Sequence, residues 1–143
     1  MTTNATTNKP PKVRLGARPG DIQHTLIVDL PDGTKGTMPV IYVYRTRKEF
    51  GALIDEMAEA SRREAEQPAD AAQTSAQPVT VEGVYDGRSK ANAQYLGRIL
   101  SGWGLDEPFG PDALAQLCDE LPGAAAQIIE AYNQVITEGR LGN

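Results

Sequence analysis

The sequence has few of the residues that form disulfides, bind metals or act as catalytic bases. Its 143 residues include one cysteine, Cys118, and one histidine, His24. Because a lone cysteine cannot form an internal disulfide, a reducing cytoplasm is the compartment that fits this composition. A lone histidine provides no Cys/His zinc constellation, and His24 alternates with apolar neighbours in a predicted strand. We therefore interpret His24 as structural rather than catalytic.

Long apolar runs are also missing. The first twelve residues, MTTNATTNKPPK, are polar and lack the apolar region of a signal peptide. No apolar run approaches the roughly 20 residues that a membrane-spanning helix needs. We expect neither export through a signal peptide nor insertion into a membrane.

Motifs of known catalytic and binding sites are absent in the same way. The glycines form neither a phosphate-binding loop nor a dinucleotide fingerprint, and there is no twelve-residue calcium loop. The carboxylates Asp55, Glu56 and Glu59 fall on the polar side of a predicted helix. Cys118 shares an apolar helical stripe with leucines, where a thiol packs as a small hydrophobe. We predict no enzymatic activity, no cofactor and no metal site.

Charge is distributed unevenly within a net charge of -5. Up to Phe50 the chain has 8 basic and 4 acidic residues, and beyond it 6 basic and 15 acidic. The basic residues Lys9, Lys12 and Arg14 lie near prolines and without aromatic neighbours, which is typical of a solvated arm. An acidic body disfavours binding to phosphate backbones and favours solubility. We expect no nucleic-acid partner.

The first half has the pattern of a β-hairpin followed by a helix. Apolar and polar residues alternate in DIQHTLIVDL, Pro31-Asp32-Gly33 supplies a turn, and TMPVIYVYR is rich in strand-forming residues. Thr46 to Glu49 has the sequence of a capping box. The helix that follows is amphipathic, with an apolar stripe at Phe50, Leu53, Ile54 and Met57. We expect it to pack on the hairpin.

In the second half the same helical spacing recurs three times. The three stripes are Leu96, Ile99, Leu100, Trp103; Leu114, Leu117, Cys118, Leu121; and Ala125, Ile128, Ile129, Tyr132. We predict an α+β fold in which an N-terminal antiparallel β-hairpin packed with an amphipathic helix is followed by a three-helix C-terminal unit. The predicted segments are a flexible basic arm (1–20), hairpin plus helix (21–66), a mobile linker (67–80) and the helical unit (81–143).

Apolar and aromatic residues of the second half are the candidates for a partner surface. The stripe of the last helix continues past Tyr132 to Val135 and Ile136, which predicts an overhanging apolar end. Trp and Tyr often anchor interfaces, although core packing is the stronger interpretation for Trp103. The candidate partner-binding residues are Trp103, Phe109, Tyr132, Val135, Ile136 and Leu141.

Four stretches, in this order, resemble the tail assembly chaperones of tailed bacteriophages and prophages. They are VRLGARP, LPDG, YVYRTRKEF and GWGLDEPFGPDALAQLCDELPGAAAQIIEAYNQVITEGRLGN. The resemblance runs from about Val13 to Asn143 and omits the linker. None of the stretches is a catalytic signature.

The resemblance implies a noncatalytic protein of the host bacterial cytoplasm that binds the tape measure protein and keeps it soluble. Tail tube protein is implied as a second partner, and many weak copies along one client would gain avidity. A homo-oligomer is a further candidate partner. The β-hairpin favours an alternative, a structural minor tail component (tube-associated or completion protein) retained in the virion. The basic arm favours a third, a DNA-binding regulator, but no helix is rich in base-reading side chains.

Overall fold

A computed structural model describes residues 10–16, 18–66 and 80–139. The first nine residues of the predicted arm, most of the predicted linker and the candidate residue Leu141 lie outside these ranges. The elements, in chain order, are β1 (Ile22–Asp29), β2 (Lys35–Tyr42), α1 (Arg47–Ala65), α2 (Val81–Ile99), β3 (Leu100–Trp103), α3 (Pro111–Glu120) and α4 (Pro122–Glu138). The predicted α+β class, a hairpin followed by helices, is confirmed.

The hairpin forms as its sequence predicts. Strands β1 and β2 pair antiparallel from Ile22 opposite Tyr42 to Asp29 opposite Lys35. Gly33 has a φ of 89°, a conformation that glycine adopts without steric cost, and its N–H donates to the Leu30 carbonyl at 2.9 Å. Turn chemistry therefore sets the register, and the even-numbered residues of β1 face the core.

The sheet gains a third strand that the helical spacing did not predict. Helix α2 ends at Ile99, and β3 pairs antiparallel with β2, so the prediction of Trp103 on a helical stripe is wrong. A short apolar run such as residues 100–103 fits a helix or a strand equally well. Here it forms a strand, because β2 offers an edge with which it can pair. Gly104 allows the close approach, because a Cβ atom there would lie 3.0 Å from Pro39.

Buried residues from residues 21–66 and from residues 81–139 form one core cluster. Its largest members include Tyr42 and Tyr132, which are fully buried and have ring centroids 5.2 Å apart. The Tyr42 hydroxyl donates to the Ile128 carbonyl at 2.8 Å, and the Tyr132 hydroxyl donates to the Val43 carbonyl at 3.0 Å. This reciprocal pair holds α4 against β2. The segment boundaries drawn from the sequence stay a prediction.

The N-terminal arm is fastened at its base by Arg18. Its guanidinium donates to both carboxylate oxygens of Glu49, at 2.7 and 3.1 Å, and lies 5.1 Å from the centre of the Tyr44 ring. Glu49 also accepts the Thr46 N–H at 2.9 Å, while its own N–H donates to the Thr46 hydroxyl. The predicted capping box is confirmed, and one carboxylate serves both the start of α1 and the arm.

Replacing Tyr42 with Phe removes one buried hydrogen bond and keeps the ring. We expect the free energy of unfolding to fall by about 1 kcal/mol, because the Ile128 carbonyl loses a partner inside the core. Urea unfolding measures the change. The matched control is Tyr85→Phe on an exposed face of α2, where stability should not change; equal effects would contradict the role given to Tyr42.

Stability should also depend on pH through Glu49. The hydrogen bonds from Arg18 and then from the Thr46 backbone lower the pKa of Glu49 from 4.5 to about 2. A depressed folded-state pKa means that the contribution is present above pH 4.5 and is lost as the pH falls toward about 2. Urea midpoints measured across that window should fall more steeply for the wild type than for Glu49→Gln; parallel curves would contradict this.

Candidate partner-binding groove

The predicted apolar end of the last helix is covered. Val135 and Ile136 are only 8% and 6% exposed, and Tyr132 is fully buried. The predicted overhang is therefore wrong, because α4 lies along the sheet and beside α1 over the length of its stripe. A partner-binding role for these three residues, and for Leu141 outside the described range, stays a prediction.

Trp103 and Phe109 lie together, at the two ends of the loop between β3 and α3. Their rings meet edge to face with centroids 5.2 Å apart, and both are partly exposed. The Trp103 indole N–H donates to the Glu107 carbonyl at 2.8 Å, which orders the loop between β3 and α3. Trp103 lines a small cleft on α3, whereas Phe109 lines a larger groove between α1 and α2. Val135 and Ile136 line neither of these two clefts, so the structure does not bring the five described candidates into one cleft.

The groove between α1 and α2 has a volume of about 550 Å³, and we call it the α1–α2 groove. Apolar side chains from three parts of the chain contribute to its lining: Met57, Phe109 and Leu114. Half of the lining residues on the two flanking helices are small: Ala60, Ser61, Ala91, Ala93 and Gly97. Small side chains allow another helix to approach closely, because the distance between packed helices depends on the side chains at their contact.

The groove exists because both helices extend beyond the core. Leu53 is the last buried residue of α1, and Leu96 is the first buried residue of α2. Between these points the described segments AEASRREAE (58–66) and DGRSKANAQ (86–94) contain no large apolar residue that could close the space. The α1–α2 groove therefore stays open to solvent.

Charged residues border the groove. Arg98 on α2 donates to both carboxylate oxygens of Glu56 on α1, at 2.7 and 3.2 Å, which joins the two helices. The same hydrogen bonds lower the pKa of the Glu56 carboxyl. Val84, seven residues before Ala91, lies on the same face of α2 and remains exposed. An apolar floor with a polar rim is the usual anatomy of a protein-binding surface.

Most residues of the α1–α2 groove were missed by reasoning from the sequence. Phe109 was a candidate, and Met57 was assigned to the core stripe of α1. The sequence signal was an interruption: the apolar stripe of α1 ends at Met57, and the next positions on the same face are the small residues Ala60 and Ser61. A helix that continues without an apolar face leaves a surface that the core of this chain does not cover.

The two side chains most often used as nucleophile or base, Cys118 and His24, are packed among core residues. Cys118 is buried in α3, and burial raises the pKa of its thiol to about 11, so the reactive thiolate is disfavoured. His24 is partly buried with its ring centroid 6.4 Å from that of Tyr42. Within residues 10–16, 18–66 and 80–139, no cluster of three His, Cys, Asp or Glu residues could hold a metal ion. No helix in that part of the chain has the length and apolar character needed to cross a membrane.

Comparison with protein-family models gives a match over residues 11–143, to a family described as phage tail assembly chaperone. Searches of curated proteins and of solved structures found no match. The matched range contains every strand and helix that the structure describes, Arg18 at the base of the arm, and the α1–α2 groove. The chain belongs to the phage tail assembly chaperone family.

Proposed function

We propose that this protein binds the tape measure protein during tail assembly and keeps it soluble, with a helical segment of that client in the α1–α2 groove. Membership of the family supports a role in tail assembly and indicates a noncatalytic protein. The open groove between two extended helices is the observation that carries the choice of a helical client.

The groove suits an amphipathic helix. In helix-in-groove recognition, apolar side chains spaced three and four residues apart enter an apolar cleft, and backbone polar groups stay paired within the bound helix. Met57, Phe109 and Leu114 offer apolar contacts, while Ala60 and Gly97 leave room for the incoming backbone. An extended strand would instead need free main-chain donors and acceptors, which the interior of a helix does not provide.

One groove is small beside a long client, so the proposal includes several copies on one tape measure protein. Linked weak sites gain avidity without a tight single contact. The acidic composition beyond Phe50 disfavours precipitation of such an assembly. The same proposal places the protein in the host cytoplasm and includes the tail tube protein as a second partner.

Filling the groove should abolish client binding. We expect Ala60→Arg to reduce copurification with a coexpressed tape measure protein at least about tenfold, because a long cationic side chain occupies the space of the bound helix. Solubility of the client should fall in parallel. Both are measured by pull-down and by the soluble fraction of the client.

The matched control is Ala58→Arg, which puts the same side chain at an exposed position of α1 outside the groove lining. It should bind as the wild type does. Unchanged client solubility with and without the wild-type protein would contradict the proposed function, and equal loss in both variants would contradict the groove. Stoichiometric protein in purified virions would favour the structural tail component instead.

A further inference from the structure

Among residues 10–16, 18–66 and 80–139, no strand pairs with the outer edge of β1, because the sheet order is β1-β2-β3. At the turn, the Leu30 N–H donates across to the Thr34 carbonyl at 2.9 Å, so even-numbered residues of β1 direct their backbone groups toward β2. Since antiparallel pairs alternate, the odd-numbered residues direct their N–H and C=O groups outward.

Helix α4 covers only half of this edge. The Gln127 side-chain oxygen accepts the Asp29 N–H at 3.2 Å, and its amide nitrogen donates to the Ile27 carbonyl at 3.4 Å. Gln127 thus takes the place of a neighbouring strand at the end of β1. Among the described residues, no hydrogen-bond partner reaches the outward N–H groups of Gln23 and Thr25. We call residues 22–26 the open edge.

The N-terminal arm has the pattern of a strand without a sheet. In KVRL, residues 12–15, basic and apolar side chains alternate, so an extended conformation separates them onto opposite faces. Val13 and Leu15 are 88% and 96% exposed, the highest values among the exposed large apolar residues of the described chain. Arg18, held by Glu49 and Tyr44, fixes the base of the arm while these side chains remain uncovered.

The two faces of the arm match the two sides of the open edge. On the outer face of the sheet, Ile27 is 59% exposed. On the other side runs α4, which has Glu130 one turn after Gln127 and has no lysine or arginine between Pro122 and Glu138. Ile27 directly follows the open edge. A strand paired with residues 22–26 that directs Val13 and Leu15 to the outer face therefore brings an apolar side chain next to Ile27 and turns Lys12 and Arg14 toward α4.

We propose that residues 12–15 of one copy add as a strand to the open edge of β1 in a second copy of this chain. Main-chain hydrogen bonds to Gln23 and Thr25 pair the two strands. The alternation of apolar and basic residues in the added strand determines which of its faces lies on the α4 side of the sheet. The contact is head to tail, because the arm and the edge are different surfaces, so each copy retains one of each for a further neighbour. The proposal does not depend on the client or on the α1–α2 groove.

Self-association of the full chain, measured by sedimentation velocity over a range of concentrations, tests this directly. The wild type should associate as concentration rises. Two variants should associate at least about tenfold more weakly: Val13→Asp with Leu15→Asp, which alters the arm, and Thr25→Pro, which removes an outward N–H without touching the β1–β2 ladder. Thr25→Ala keeps that N–H and should behave as the wild type.

Mixing distinguishes strand addition from other contacts. The arm variant retains an intact edge and Thr25→Pro retains an intact arm, so an equal mixture should form heterodimers that do not grow further. A monomeric wild type, an arm variant that associates normally, or a mixture without heterodimers would each overturn the proposal. If Thr25→Pro lowers the melting temperature, a peptide of residues 10–18 replaces it. That peptide should dissociate wild-type complexes, and its failure to do so would overturn the proposal equally.

Discussion

Two buried tyrosines determine how the helices sit on the sheet. A phenol hydroxyl loses its hydration on burial and needs a partner inside the protein. Tyr42 on β2 finds one in the Ile128 carbonyl of α4, and Tyr132 on α4 finds one in the Val43 carbonyl after β2. Because each bond runs in the opposite direction between the same two elements, both the position and the orientation of α4 are fixed. The reach of Gln127 to β1 follows from that placement.

The α1–α2 groove forms where two helices are each buried over only part of their length. Each helix has one part that contributes to the core, through Leu53 or Leu96, and one part that remains outside it. The outer part of α1 is supported locally by ion pairs of Glu59 with Arg62 and Arg63. Short-range pairs of this kind keep a helix formed without covering its surface, so the outer part of α1 stays open.

Charge is separated along the chain. Basic residues predominate before Phe50 and acidic residues beyond it, so arm and body attract each other. Within one copy Arg18 of the arm pairs with Glu49 at the start of α1. Val13 and Leu15 remain outside that contact and are free to pair elsewhere. The molecule thus combines an acidic body with exposed apolar side chains in its arm.

Local chemistry in the sequence was sufficient for the hairpin, its Pro-Asp-Gly turn, the capping box at Thr46 and the existence of the helices, because neighbouring residues decide each of them. Family membership followed from the order of whole stretches. Tertiary structure alone decided three features. Strand β3 forms because β2 offers a free edge to an apolar run that also suits a helix. Val135 and Ile136 are buried because α4 is covered over its length. The α1–α2 groove arises from helices distant in sequence, whose relative placement no local pattern specifies.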